Sequence, residues 1–178
     1  MLYRRAHVPG STYFFTVNLV DRRRRLLVEY VDILRGVMRR VREGHPFAID
    51  AIVILPDHLH ALWTLPDGDV DYAGRWSLIK AGVSRRLPPG ERINASRVAK
   101  RERGIWQRRY WEHLIRDDDD FARHVDYIHW NPCKHGHVSR PVEWPYSSFH
   151  RYVTDGILAL DWGENEIVEG CYGERENL

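Results

Sequence analysis

Hydrophobic positions recur along the chain with two periods, and the switches between those periods outline a fold. Thr12 to Leu19 is dense in aromatic and β-branched residues and predicts a strand. Val28, Val31, Leu34, Val37, Met38 and Val41 recur at spacings of three and four, which marks an amphipathic helix with Gly44 just past its end. Phe47 to Leu55 and His58 to Leu65 read as a second and a third strand. Pro56 and Asp57 leave room only for a tight reversal, so these two strands should pair as a hairpin. Pro66 to Asp69 is a turn. Tyr72, Trp76, Ile79, Val83 and Leu87 mark a second helix, which Pro88, Pro89 and Gly90 stop. Glu91 to Gly104 has no apolar period and is expected to be a mobile basic loop. Ile105 to Ile115 returns to strand composition.

Asp117 to Asp120 then opens a third helix, expected to run to about Trp130 before Asn131 and Pro132. Carboxylates at a helix start are read first as caps and solvated charge, with a metal-binding cluster as the sharper alternative. Phe121, Val125 and Ile128 form its expected buried stripe, and His124, Tyr127 and Asn131 share an adjoining face. The order strand, helix, strand, strand, helix, strand is that of the ferredoxin-like split βαβ arrangement. The expected class is α+β, a central antiparallel sheet with helices packed on it.

At 178 residues the chain fits one domain with a real core and a tail. No apolar run has the length of a bilayer-spanning helix, and the first residues lack the apolar core of a signal peptide. Cys133 and Cys171 stand in no metal-ligand or redox spacing, which fits a reduced, cytoplasmic protein. The net charge of +2 hides a segregation. Arg4, Arg5, the run Arg22 to Arg25 and the stretch from Arg75 to Arg116 are basic, while the residues after Asp155 are acidic. Clustered arginine interleaved with tryptophan and tyrosine suggests a polyanion, above all nucleic acid. The acidic tail is expected to lie over the basic surface when no ligand is bound.

In a strand, His58 and His60 project to one face and could share a divalent cation, although so short a pair is read first as two surface histidines. Tyr127, off the apolar stripe, is by itself an ordinary partly exposed tyrosine. Together, however, Tyr13 to Leu19, Leu55 to His60, Trp63 to Pro66, Ile105 to His113, Val125 to Pro132, Lys134 to Gly136 and Trp144 to His150 resemble the REP-associated tyrosine transposases. These form a branch of the HUH single-strand DNA transposase superfamily (the IS200-like transposase family). The resemblance covers the chain from about Tyr3 to Trp162.

The resemblance implies an HUH transposase domain over residues 1–162, with a basic loop at 88–104 inserted and an acidic tail at 163–178. It implies that Tyr127 is the catalytic nucleophile and that His58 and His60 bind metal, with Asn131 as third ligand. Mg²⁺ or Mn²⁺ is the implied cofactor. Single-stranded DNA beside a REP-type hairpin is the implied substrate, cut and rejoined through a 5′-phosphotyrosine. A monomer is favoured over a homodimer. Arg4, Arg5, Arg22, Arg23, Arg108 and Arg109 are the candidates for phosphates or base edges, with Trp106, Tyr110, Trp111 and Trp144 for stacking. For most of the tryptophans core packing is the plainer expectation. His124 could contact the scissile phosphate or simply face solvent. The rival reading is a DNA-hairpin-binding relative without turnover. If the tail covers the basic surface, removing the residues after Asp161 raises DNA affinity in an electrophoretic shift assay; unchanged affinity rejects the cover.

Overall fold

The computed structural model describes residues 8–91, 93–164 and 172. Four strands, β1 (Thr12–Asn18), β2 (Ala48–Ile54), β3 (His58–Thr64) and β4 (Trp111–Leu114), form one sheet in the order β2-β3-β1-β4. All neighbours are antiparallel. The intervening helices are α1 (Leu26–Glu29), α2 (Val31–Gly44), α3 (Tyr72–Arg86) and α4 (Ala95–Ala99), followed by α5 (Asp118–Lys134) and α6 (Phe149–Thr154). The α+β class and the split βαβ order are as expected, and the hairpin at Pro56-Asp57 forms.

Both faces of the sheet are covered, which is why its two central strands, β1 and β3, are buried almost throughout. Tyr13, Phe15, Val17, Leu59, Ala61 and Trp63 point to one face and pack beneath α2 and α3. Trp63 stacks on Trp76 of α3 with ring centroids 4.1 Å apart. Gly82 of α3 sits so close to Val37 that a Cβ would lie 2.7 Å from its methyl group, so these helices meet where only glycine fits. Phe14, Ala51, Val53 and Leu62 point to the other face, against Val125, Tyr127 and Ile128 of α5. The exposed edge of β2 is closed by a later segment. Ile54 N–H donates to the Tyr146 carbonyl (2.8 Å) and Ser148 N–H to the Ile52 carbonyl (2.8 Å).

Several local expectations change. The first helix breaks at Tyr30 into α1 and α2. The loop from Glu91 contains α4, a single turn capped by Asn94 Oδ1 accepting from Arg97 N–H. It buries no residue, so it has no apolar period to detect. The fourth strand is shorter than Ile105–Ile115: its ladder covers only Trp111–Leu114, and Trp106 makes an isolated bridge to Leu19. Arg108 turns out of line to pair with Glu102 instead. Helix α5 does not stop before Pro132 but runs to Lys134, with the His135 N–H still reaching the Asn131 carbonyl at 3.1 Å. Among the arginines, Arg75 is buried; it donates to the carbonyls of Pro46 and Asp71 and pairs with Asp69 at 2.5 Å.

His129 of α5 is fully buried beside the Ser148 hydroxyl, 2.9 Å from its Nε2. Burial pushes its imidazolium down from the ordinary 6.5 to about 3. In the unfolded chain the ring protonates below about 6.5, whereas the fold keeps it neutral. Stability therefore falls as pH drops from about 6.5 towards 3, by up to ~1.4 kcal/mol per pH unit from this group. Thermal melts across that range should show the slope, and His129→Gln, which keeps a partner for Ser148, should flatten it.

Candidate functional site

The register of β1 against β3 sets Thr16 opposite His60 and Asn18 opposite His58. All four side chains lie on the α5 face, and both histidines are buried, so the reading of two surface histidines is overturned. Their ring centroids are 5.0 Å apart. Each ring is held through Nδ1. The His58 Nδ1 lies 2.8 Å from Asp57 Oδ1, and Asp57 also accepts from Arg22 Nε at 2.5 Å. Burial pushes the Asp57 carboxyl up, but His58 and Arg22 outweigh it and hold the group at about 2. As a carboxylate at neutral pH it can only accept, so His58 Nδ1 carries the proton. The His60 Nδ1 lies 2.9 Å from the Thr16 hydroxyl, which donates its one proton to the Tyr172 carbonyl at 2.6 Å. That hydroxyl must therefore accept from His60 Nδ1–H. In both rings Nε2 is left as the nitrogen whose lone pair can ligate.

Helix α5 brings the phenol. The Tyr127 ring lies 5.2 Å from the His60 ring and is fully buried. The Lys134 ammonium donates to the Tyr127 hydroxyl oxygen at 3.1 Å. His135, just past the helix, lies 5.0 Å from the His58 ring. Asn131, one turn beyond Tyr127, is buried on the same helix. Two histidine nitrogens and an amide oxygen are a donor set that a divalent cation accepts. Beside His58, Arg22 to Arg25 line a cleft of about 370 Å³ with Asp57, His135 and His137.

The remaining sequence candidates divide. His124 is buried, not solvent-facing; its Nδ1 donates to the Asp120 carbonyl (2.7 Å), and its ring packs on Phe14 and His113. Burial pushes its imidazolium down. Of the four aspartates, Asp117 caps the helix by accepting from Asp120 N–H at 2.7 Å, and Asp118 and Asp119 are exposed. Asp120 is buried. Burial raises its carboxyl, yet hydrogen bonds from Arg116 and His113 win and hold it well below the usual range. His113, Asp120 and His124 bring ligand atoms within 4.8 Å of one another, but Arg116 at 3.0 Å already neutralises the carboxylate. Trp106 and Trp144 are buried, and Trp144 Nε1 donates to the Ile54 carbonyl, so neither presents a face for stacking. Tyr110 is half-buried under Lys80, with the ammonium 5.0 Å from its ring centroid. Arg23 is exposed and pairs with Asp21, Arg108 with Glu102, and Arg109 is exposed. Arg4 and Arg5 lie outside the described residues.

The sequence missed five residues of this constellation: Thr16, Asp57, Lys134, His135 and Tyr172. Lys134 stands seven residues, two turns, after Tyr127 and was hidden by the expected helix stop at Pro132. Tyr172, from the acidic tail, lies on the α5 face of the sheet, with its ring 4.7 Å from Tyr127 and 4.3 Å from His124. Its approach is aromatic; the described tail residue meets the site through its ring and carbonyl, not through charge.

A buried histidine pair facing a phenol, ringed by cations, suits an enzyme that works on DNA strands, one of the transposase and nuclease kind. Known proteins agree. No family model matches the chain. It is 49% identical over 164 residues to a Haemophilus influenzae protein assigned to the REP-associated tyrosine transposases, covering 92% of this chain and 93% of the relative. It is 42% identical over 173 residues to the REP-associated tyrosine transposase of Escherichia coli K12, covering 97% and 96%. A solved REP-associated tyrosine transposase bound to a REP hairpin superposes with a TM-score of 0.86 at 41% identity, covering 100% of this chain and 99% of that one. The chain belongs to the REP-associated tyrosine transposases.

The tautomers are directly testable. Nitrogen-15 histidine spectra above pH 8 should show Nδ1 protonated and Nε2 bare at both His58 and His60. Asp57→Ala should release His58 alone. A protonated Nε2 at His60 in the unaltered chain contradicts the Thr16 relay.

Proposed function

We propose that the protein cuts and rejoins single-stranded DNA beside a REP-type hairpin, forming a covalent link between Tyr127 and the 5′ phosphate. The observation that carries this reading is the Tyr127 phenol, 5.2 Å in ring separation from His60 and hydrogen-bonded to Lys134. The DNA partner is carried over from the relative bound to a REP hairpin.

Tyr127 Oη attacks phosphorus, the bond from phosphorus to the 3′ oxygen breaks, and a free 3′-OH leaves. The phenolic proton is released to water and the departing 3′ oxygen takes one up. No net energy is lost from the ester, so a 3′-OH can reverse the step and rejoin the strand. Lys134 donates to the oxygen on which charge collects when the phenol attacks or is displaced. Asp57 and Thr16 orient His58 and His60. Those histidines, with Asn131, would hold Mg²⁺ or Mn²⁺, the imidazoles favouring the softer ion. When bound, that ion supplies Lewis-acid polarisation of the scissile phosphate. Arg22 to Arg25 line the cleft beside His58 and suit the flanking backbone phosphates.

The test is a labelled hairpin oligonucleotide incubated with Mn²⁺ and run on a denaturing gel. A protein–DNA adduct is expected and should vanish in Tyr127→Phe. Lys134→Met should slow adduct formation by about 10²-fold, the usual cost of one charge-stabilising donor. Cleavage surviving Tyr127→Phe would mean that water is the nucleophile. Binding without cleavage would instead mark a hairpin-binding relative that has lost turnover.

A further inference from the structure

A second set of ligating side chains gathers where β4 meets α5. His113 of β4 and Asp120 and His124 of α5 each bring one ligand atom within 4.8 Å of the others. The His113 Nε2 lies 2.8 Å from Asp120 Oδ2, and the His124 Nδ1 lies 3.5 Å from Asp120 Oδ1. Donors to a tetrahedral zinc stand about 2.0–2.2 Å from the ion, which sets them roughly 3.3–3.6 Å apart. The cluster is already near that span. Asp120 and His124 are buried, whereas His113 is only half-buried and opens the cluster to solvent.

A second observation concerns charge. Asp120 is a buried carboxylate on which Arg116, Arg123 and His113 all converge with N–H groups. Burying a carboxylate is costly unless positive charge answers it. Arg116 answers it from the surface, since its side chain is 65% exposed, and Arg123 is 53% exposed at 3.5 Å. Exposed guanidiniums gain little from such pairs and lose side-chain entropy in holding them. A dication among the three donors would approach the carboxylate more closely than either guanidinium and bring twice the charge. The neutralisation by Arg116 is therefore one that such an ion can displace.

The donor types select the ion. Hard cations prefer all-oxygen shells, whereas two imidazoles and a carboxylate suit zinc and its neighbours, with a fourth position left for water. Burial disfavours the His124 imidazolium and so favours the neutral ring, the form that ligates. Its Nδ1–H donates to the Asp120 carbonyl, and the His113 Nε2–H donates to the Asp120 carboxylate. An entering ion replaces both protons, which pass to the other nitrogen of each ring. The His124 Nε2 has no partner among the described residues that would oppose the exchange. The Asp120 carbonyl keeps its place in the hydrogen-bond ladder of α5.

We infer that His113, Asp120 and His124 form a site for a zinc-class divalent cation, separate from His58 and His60, that ties the edge strand β4 to the helix carrying Tyr127. Phe14 packs on both His124 and His60, so the ion would lie one ring away from His60. Calorimetric titration of the full-length protein with Zn²⁺ at neutral pH tests the site. The His58→Ala, His60→Ala variant should still bind one equivalent, with a Kd of about 1 μM or tighter. Adding His113→Gln should weaken that binding by about tenfold or more. Thermal melts without zinc that match the unaltered chain exclude misfolding. Where the His58→Ala, His60→Ala variant melts early, the unaltered chain compared with His113→Gln should show the same loss of one equivalent. Arg116→Ala keeps all three ligands and removes the competing guanidinium, so it should tighten zinc by about threefold. A purely structural ion pair would give no such gain. Absence of zinc binding in the His58→Ala, His60→Ala variant overturns the inference. So does binding that His113→Gln leaves unchanged, or an affinity that fails to rise in Arg116→Ala.

Discussion

Two imidazoles on one strand can act together only if that strand is held in register, because a slip of one residue turns every side chain to the other face. Here the pairing of β3 with β1 supplies that constraint. Thr16 stands opposite His60, and the same ladder sends Leu59, Ala61 and Trp63 into the larger core. The core thus enforces the site: a slip would bury His58 and His60 among α2 and α3 and expel Trp63 from its stack. Burying a large apolar side chain such as Leu59 is worth roughly 1.5–3 kcal/mol, and Trp63 removes more area from water still, so the core resists the slip.

The polar face must then satisfy its own hydrogen bonds, since buried polar groups without partners are costly. It does so in ways that also set its chemistry. Asp57 and Thr16 each take one imidazole N–H, and in doing so they decide which nitrogen of each ring can ligate. The tail contributes as well, because Thr16 can accept from His60 only while it donates elsewhere, and it donates to Tyr172. The geometry of the histidine pair is therefore coupled to a residue more than a hundred positions away in the chain.

Charge is distributed by the same logic. Part of the apparent basicity of the middle of the chain is not available to a ligand in any simple way: Arg75 is buried on backbone carbonyls and Asp69, and Arg103 is held by Glu91 and the carbonyls of Leu87 and Pro88. Other arginines gather in clefts among the described residues: Arg22 to Arg25 beside His58, the residues between α3 and the Arg97–Arg108 segment, and Arg35, Arg39, Arg42 and Arg151 beside β2.

Periodicity alone was enough to read the strand and helix order, the shared face of His58 and His60, and the common face of Tyr127 and Asn131, because each depends on spacing within one element. The sequence could not show that α5 crosses Pro132, since the preference against helix before proline is local and is overridden here by a further turn that carries Lys134 to Tyr127. Nor could it show that His124 is buried, that α4 exists, or that Asp57 is a partner of His58 as well as a turn residue. Those are outcomes of contact between distant segments. Local spacing determines which side chains can share a face; only the folded packing decides which of them meet, what each hydrogen bond leaves over, and which charges remain for DNA.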